Sequence, residues 1–287
     1  MRRAFDLLAL LADRREHSGA DLAEHLGVTR AAVWNQISRL REEGVDIQGT
    51  PGQGYRLPDG FDALDADQIK NLLHDTRCHA YQLIDVLTVT DSTNERLLAK
   101  HSSEDVHGQV ILAEYQSAGR GRRGDRWMSP PGSGLCFSFA WRFEAPPSTF
   151  SALSLVVGVA VVTTLHKLGI EDAQLKWPND IVRGPRKMAG ILIEMRSEAS
   201  GPSLTVIGIG LNVSLSEQGR KLIDRPSDDV NSASGQQVSR NVLAAEVLAA
   251  LATALQQFAI NGFAPFHSIW TRFDALADRE VTLDLGS

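Results

Sequence analysis

Apolar positions in the first sixty residues follow a helical period. Phe5, Leu8 and Leu11 share one face of a helix expected over residues 2–12, a second helix is expected over 19–26, and Gly27 supplies the turn after it. Thr29 is placed to cap a third helix over 30–43, whose face carries Val33, Ile37 and Leu40 and whose stop is Gly44. Two helices joined by a short Gly-containing turn make a helix-turn-helix. Val45-Asp-Ile-Gln48 and the Gly/Pro-rich run from Gly49 to Leu57 then read as two short strands around a turn, a wing.

Beyond residue 60 the period changes. A connecting helix is expected over 62–75, then strands over 81–90, 109–115, 135–143, 174–177, 187–195 and 203–213, with helices over 93–100, 151–168 and 241–259. Short connections between neighbouring strands predict an antiparallel or mixed sheet with helices on one side, an α+β fold. The expected organisation is a winged helix-turn-helix domain over 1–60, a larger domain over 61–275 and a short remainder over 276–287. Neither an internal repeat nor a low-complexity tract is present.

Composition narrows the function classes. With 287 residues, 43% hydrophobic and 22% charged, the chain has the make-up of a globular protein of two or more domains. A net charge of -6 provides no global field towards nucleic acid or membrane, so such binding must be local. Cys78 and Cys136 lack metal-ligand spacing and form no disulfide framework, which fits a reducing cytoplasm. Asp6 interrupts the first apolar stretch, which argues for an amphipathic helix over a signal peptide, and the longest apolar run, residues 153–165, is too short to span a bilayer; no membrane partner is expected.

DNA binding rests on a local bias. Residues 1–60 hold eight Lys/Arg against nine Asp/Glu, yet between Val28 and Arg41 there are three arginines and no acid. Thr29, Arg30, Asn35, Gln36 and Arg39 are therefore the expected DNA-contacting residues, because Arg suits guanine and Asn or Gln suits adenine in the major groove. A helical bundle used for protein contacts is the competing reading.

Five stretches of the larger domain carry chemistry. Gln116 to Trp127 puts Arg120, Arg122, Arg123 and Arg126 on a backbone containing Gly119, Gly121 and Gly124. Forked donors on a backbone that allows close approach suit an anion, and a run held between two strands suits a lid better than a tail. A solvated surface loop is the alternative. Asp91-Ser-Thr-Asn94 offers short polar groups for a neutral amide or urea ligand, or an ordinary helix cap. Lys176-Trp-Pro-Asn-Asp180 ends a strand in turn chemistry. Arg186-Lys-Met-Ala-Gly190 places Lys187 at the mouth of the sheet, and Gly208 and Gly210 sit mid-strand, where glycine marks close approach by a ligand or another backbone.

Together these stretches resemble the bifunctional biotin protein ligases that also act as biotin operon repressors. The resemblance is carried by Thr29-Arg-Ala-Ala32, the wing with Pro51-Gly-Gln-Gly-Tyr55, Asp91-Ser-Thr-Asn94, Gly119-Arg-Gly-Arg-Arg-Gly124, Lys176-Trp-Pro-Asn-Asp180, Lys187-Met-Ala-Gly-Ile-Leu192 and Gly208-Ile-Gly-Leu-Asn212, and it covers residues 1 to about 280. It implies a class II synthetase-like catalytic domain that makes biotinyl-5′-AMP and pyrophosphate from biotin and MgATP. The adenylate then acylates a lysine of a biotin carboxyl carrier protein domain.

By motif position the resemblance makes Arg122 and Lys187 the catalytic cations, offsetting the repulsion between carboxylate and α-phosphate. Ser92, Thr93, Asn94, Gln116, Arg120, Gly121, Arg122, Lys187 and Gly190 would line the biotin site. Arg122, Trp127, Lys187 and Asn212 would serve the adenylate, with Trp127 as an adenine platform. Mg²⁺ is expected with ATP; its ligands are unassigned, with Asp180 a candidate. The resemblance also implies an adenylate-bound homodimer on operator DNA.

Two departures stand out. Residues 280–285 would be one strand of a truncated C-terminal SH3-like β-barrel, and Asp125 occupies a position where a basic or neutral residue is expected, so its carboxylate should weaken nucleotide binding. The rival readings are a relative of the lipoate ligases, which lacks their usual Arg-Arg-x-Ser-Gly-Gly-Gly stretch, and a biotin-sensing transcription factor without turnover.

Overall fold

The computed structural model describes residues 2–101, 105–144, 150–197 and 203–282. Helices α1 (Arg2–Leu10), α2 (Gly19–Leu26) and α3 (Arg30–Glu42) form a three-helix unit, followed by a hairpin of β1 (Gln48–Thr50) and β2 (Gly54–Arg56). Ser18 and Thr29 cap α2 and α3 by accepting from Asp21 N and Ala32 N, and Gly27 ends α2 in the left-handed region at φ 61°. Leu7, Leu8, Leu11, Val33, Ile37 and Leu40 make a core of their own. Each such side chain contributes about 1.5–3 kcal/mol relative to leaving it in water. The first wing strand begins later than expected, because Val45 and Ile47 turn inward to that core.

The larger domain is built on a seven-stranded mixed sheet. Its strands are β3 (Leu83–Leu87), β4 (Gln109–Ala113), β5 (Gly134–Phe143), β6 (Ala173–Lys176), β7 (Asp180–Arg183), β8 (Arg186–Ser197) and β9 (Ser203–Asn212), in the spatial order β3-β4-β5-β9-β8-β7-β6. Among the described residues only β3 and β4 pair in parallel; the other strand pairs are antiparallel. Strand β3 is shorter than the expected 81–90, since Tyr81 uses its hydroxyl on Leu248 O at 2.8 Å and its ring against Phe139 and Trp141.

Strand alternation divides the sheet into two faces. Leu135, Phe137, Phe139, Trp141, Ile207, Ile209 and Leu211 point into the main core, which is covered by α4 (Ala66–Asp75), α6 (Leu153–Lys167), α9 (Arg240–Asn261) and α10 (Ala264–Phe273). The opposite face carries Ala140, Leu204 and Val206 beneath Leu97 and Leu98 of α5 (Thr93–Lys100). Helices therefore cover both faces, correcting the one-sided arrangement expected from the sequence. The short α5 leaves the rest of its face open, and the candidate site lies there.

Helix α9 is long and apolar enough to cross a membrane by length and composition, but it packs in the core against α4 and α6. Helix α4 starts at Ala66, four residues after the expected start, because residues 62–65 serve another role. Arg240, 2% exposed, donates to Asp62 O, pairs with Glu114 at 2.7 Å and reaches Gly134 O at 3.2 Å, so the interdomain linker is tied to the sheet. Residues 280–282 are in no strand, and 283–287 of the expected barrel strand lie outside the described residues.

Candidate functional site

The open face of the sheet is lined by small residues in register. Cys136, Gly210 and Gly190 form one row across β5, β9 and β8, and Ser138, Gly208 and Leu192 form the next. The two mid-strand glycines admit side chains, a correction to the expected ligand or backbone. A Cβ on Gly208 would come within 2.1 Å of Asn94 Oδ1, and one on Gly210 within 2.2 Å of Trp127 Cε2. Asn94 and the Trp127 indole thus lie directly on the sheet.

A polar chain runs from α5 across this floor. Gln116 Oε1 accepts from Thr93 N at 2.8 Å and from its hydroxyl at 3.1 Å; the Thr93 and Ser138 hydroxyls are 2.6 Å apart, and Ser138 donates to Asn94 Oδ1 at 2.5 Å. Asn94 Nδ2 in turn donates to Glu194 Oε2 at 2.8 Å. Ser92 holds the N-cap position of α5 but makes no side-chain cap bond and is buried at the cavity wall, so the ordinary-cap reading fails. Asp91 takes a local role instead: the Ser92 N–H, then the Thr90 hydroxyl, hold its carboxyl below the usual range.

The arginine run folds back over the floor as a loop, pinned by Trp127 N donating to Gly119 O at 2.9 Å and Gly121 N to Asp125 O at 2.6 Å. Its arginines have separate fates. Arg120 is anchored between Glu95 at 2.8 Å and Glu194 at 2.5 Å, so its guanidinium closes the loop onto the sheet. Arg122 reaches Asn179 Oδ1 at 3.4 Å and faces the cavity. Asp125 stands 3.5 Å from Arg225, so the carboxylate that departs from the resemblance has a cation of its own.

Lys187 projects from the start of β8. Its ammonium lies 2.6 Å from Asp180 Oδ1 and 5.8 Å from the Trp127 ring, with only 16% of its side chain exposed. Asn212 is buried, donates to Asp228 O at 3.1 Å, and leaves its own Oδ1 without a partner. An unpartnered buried polar atom at a cavity wall is free to meet a ligand. The cavity is about 380 Å³, the size of a small-molecule site.

All the expected ligand-site residues from Ser92 to Asn212 line this one cavity. Sequence reasoning missed Ser138 and Glu194, which hold Asn94, and at the cavity wall Asn179 together with Ile223, Asp224 and Arg225 after α7 (Glu217–Leu222). Glu194 carried a signal, as the one acid ending an apolar strand. Among the described residues no group of three or more His, Cys, Asp or Glu is placed to hold a metal. Asp180, the candidate Mg²⁺ ligand, is engaged by Lys187. Cys136 is buried beneath the indole, and burial pushes its thiol up.

On the smaller domain, Arg30, Asn35 and Arg39 are exposed along α3, whereas Thr29 spends its hydroxyl on the cap and Gln36 is half-buried with an unpartnered Oε1. Trp34, 57% exposed one turn after Arg30, was not singled out from the sequence.

Comparisons agree with this two-part geometry. Residues 86–212 match the Biotin/lipoate A/B protein ligase family, and residues 3–56 match an HTH domain. The bifunctional ligase/repressor BirA of Salmonella typhimurium and that of Escherichia coli are each 40% identical over 280 residues, covering 98% of this chain and 85% of theirs. The chain belongs to the bifunctional ligase/repressor family. Among solved structures, the biotin protein ligase from Aquifex aeolicus in complex with biotin and ATP has a TM-score of 0.57 and 28% identity, over 68% of this chain and 79% of that one.

Proposed function

We propose that this protein is an ATP-dependent biotin protein ligase that forms biotinyl-5′-AMP, transfers biotin to a carrier-protein lysine, and represses transcription in response to the adenylate. The observation that carries the ligase reading is the cavity in which Lys187 and Arg122 meet a neutral polar chain from Gln116 to Asn94. The chain offers donors and acceptors at fixed positions and no net charge, which suits the ureido ring of biotin; the cations suit its carboxylate and the α-phosphate of ATP.

The charge balance sets the chemistry. Two anions must approach for adenylation, and Lys187 already holds one carboxylate, Asp180. Arriving anions exchange with or share that partner, so the ammonium is kept in place before reaction instead of being recruited during it. Arg122 adds a second donor from the loop, and the neighbouring Trp127 indole excludes water from a mixed anhydride that water would destroy. Magnesium would arrive bound to the nucleotide phosphates, in keeping with the few carboxylates at the wall. Asn212, with its free Oδ1, is assigned to the nucleotide. The adenylate-bound protein acts as a cytoplasmic homodimer whose two α3 helices read two operator half-sites through Arg30, Asn35 and Arg39.

The direct test is transfer of labelled biotin to a carrier domain in the presence of MgATP, with lipoate as competitor. Biotinylation resisted by a hundredfold excess of lipoate is expected; preferential use of lipoate would overturn the substrate assignment.

Two variants separate the functions. Arg122→Gly is expected to speed biotinyl-AMP release by about 10- to 150-fold, the effect of losing one charge-assisted contact of roughly 1.5–3 kcal/mol. A stopped-flow chase with unlabelled biotin measures it, and an unchanged off-rate contradicts the role given to the loop. Arg30→Ala is expected to weaken operator binding by about 5- to 150-fold, for 1–3 kcal/mol, with ligation retained. Equal loss of both activities would signal misfolding.

A further inference from the structure

The polar chain on the sheet floor has a direction. Glu194 closes it at one end, accepting at the same Oε2 from Asn94 Nδ2 at 2.8 Å and from Arg120 at 2.5 Å. The other neighbour of Asn94 Nδ2, the Leu192 carbonyl at 3.4 Å, can also only accept. The Asn94 amide is therefore held one way round, with its Oδ1 towards Ser138.

That orientation fixes the protons beyond it. A hydroxyl has one proton, and Ser138 spends its own on Asn94 Oδ1 at 2.5 Å. Ser138 then has none left for Thr93, so at their 2.6 Å contact Thr93 is the donor; Gln116 Oε1, 3.1 Å away, is the second place its proton can go. In either case the Thr93 oxygen accepts nothing along the chain, and its lone pairs stay open to the cavity that Thr93 lines. Ser138 and Asn94 are buried, so water does not compete for these bonds.

We propose that Glu194 is a positioning residue of the ligand site, setting the direction of these protons and so keeping the Thr93 oxygen an acceptor for a ring N–H of the substrate. The inference rests on the proposed reading of the cavity as the site of biotin, whose ureido ring supplies such N–H groups. A ring without them, such as the dithiolane of lipoate, would leave a buried acceptor unpaired. Without an acceptor at position 194, only the long bond to Leu192 opposes reversal of the Asn94 amide. Asn94 Nδ2 would then meet Ser138, Ser138 would donate to Thr93, and Thr93 would turn its own proton to the ligand. The chain would run backwards.

The test uses the full chain and isothermal titration with biotin and its two cyclic carbamate isosteres, in each of which an oxygen replaces one ureido N–H. Glu194→Met, at a side chain 27% exposed and able to take the change, should reduce the preference for biotin over one isostere by about three- to tenfold, the value of one hydrogen bond, and leave the other preference as it was. Glu194→Gln, whose amide oxygen still accepts from Asn94 and Arg120, should keep the parent preference. Thr93→Val identifies the isostere concerned, and adding Glu194→Met to it should change that preference no further, although Ser138 and Asn94 separate the two residues. Glu95→Gln, which loosens Arg120 from its other side, should shift all three ligands together. An unchanged preference in Glu194→Met, a Glu194→Gln or Glu95→Gln that matches its loss, or further loss in the double variant overturns the proposal. A parent that binds none of the three ligands would instead remove the reading beneath it.

Discussion

Lys187→Met is expected to slow adenylate formation by about 100- to 1000-fold, the range seen when one preorganised donor to a developing anion is removed. The loss has two parts. The ammonium that would meet the biotin carboxylate and the α-phosphate is gone, and Asp180, which it neutralises at 2.6 Å, becomes an unpaired carboxylate beside two incoming anions. The second part gives the prediction a signature: Asp180→Asn in the Lys187→Met background should recover part of the rate by removing that repulsion. Pyrophosphate release under saturating biotin and MgATP measures both. A Lys187→Met enzyme within threefold of the parent would place the reacting groups elsewhere in the cavity.

Gly208→Ala is expected to lower biotin affinity by about 100-fold or more, with a stability loss of about 1–3 kcal/mol from overpacking. The added methyl would meet Asn94 Oδ1 at 2.1 Å, on a central strand paired on both sides and unable to retreat. Asn94 is what gives way, and with it go its bonds to Ser138 and Glu194. Because Glu194 also holds Arg120, the disturbance extends to the anchor of the arginine loop. Isothermal titration with biotin alone, beside a thermal melt, separates the two losses. Parent-like affinity in a destabilised variant would mean that Asn94 packs the sheet without reading the ligand.

Both effects trace to features that differ in how far they were legible along the chain. Lys187 and the arginine loop could be found because cations bracketed by glycine and apolar strands have few structural uses. Gly208 and Gly210 announced a close approach, but not that Asn94 and Trp127 were what approached, since partners more than eighty residues away in sequence leave no local trace. Helix periodicity recovered α2 and α5 at their observed bounds. Strand β7 was hidden because its four residues follow directly on the Pro-Asn turn, and α10 because its N-terminal Pro265 was not read as a helix start. The linker helix was drawn too long for a similar reason: Asp62 and Ala63 fit a helical pattern, yet Arg240 and Asn241 claim their backbone oxygens.

The expected penalty from Asp125 changes once its partner is known. A carboxylate on a phosphate-binding loop opposes nucleotide only while its charge is free, and Arg225 offsets it across the cavity mouth. Exposed pairs of this kind contribute about 0–1 kcal/mol and weaken with salt, so the pair is a minor fastening beside the Arg120 anchor.

In the proposed function one cavity activates biotin with ATP and keeps the product. Intact-complex mass spectrometry of the purified chain after incubation with biotin and MgATP, with parallel assay of pyrophosphate, tests it most directly. A bound mass equal to biotinyl-5′-AMP is expected, with pyrophosphate released in equal amount. Biotin bound unchanged, with no pyrophosphate above the level of a Lys187→Met control, would contradict it.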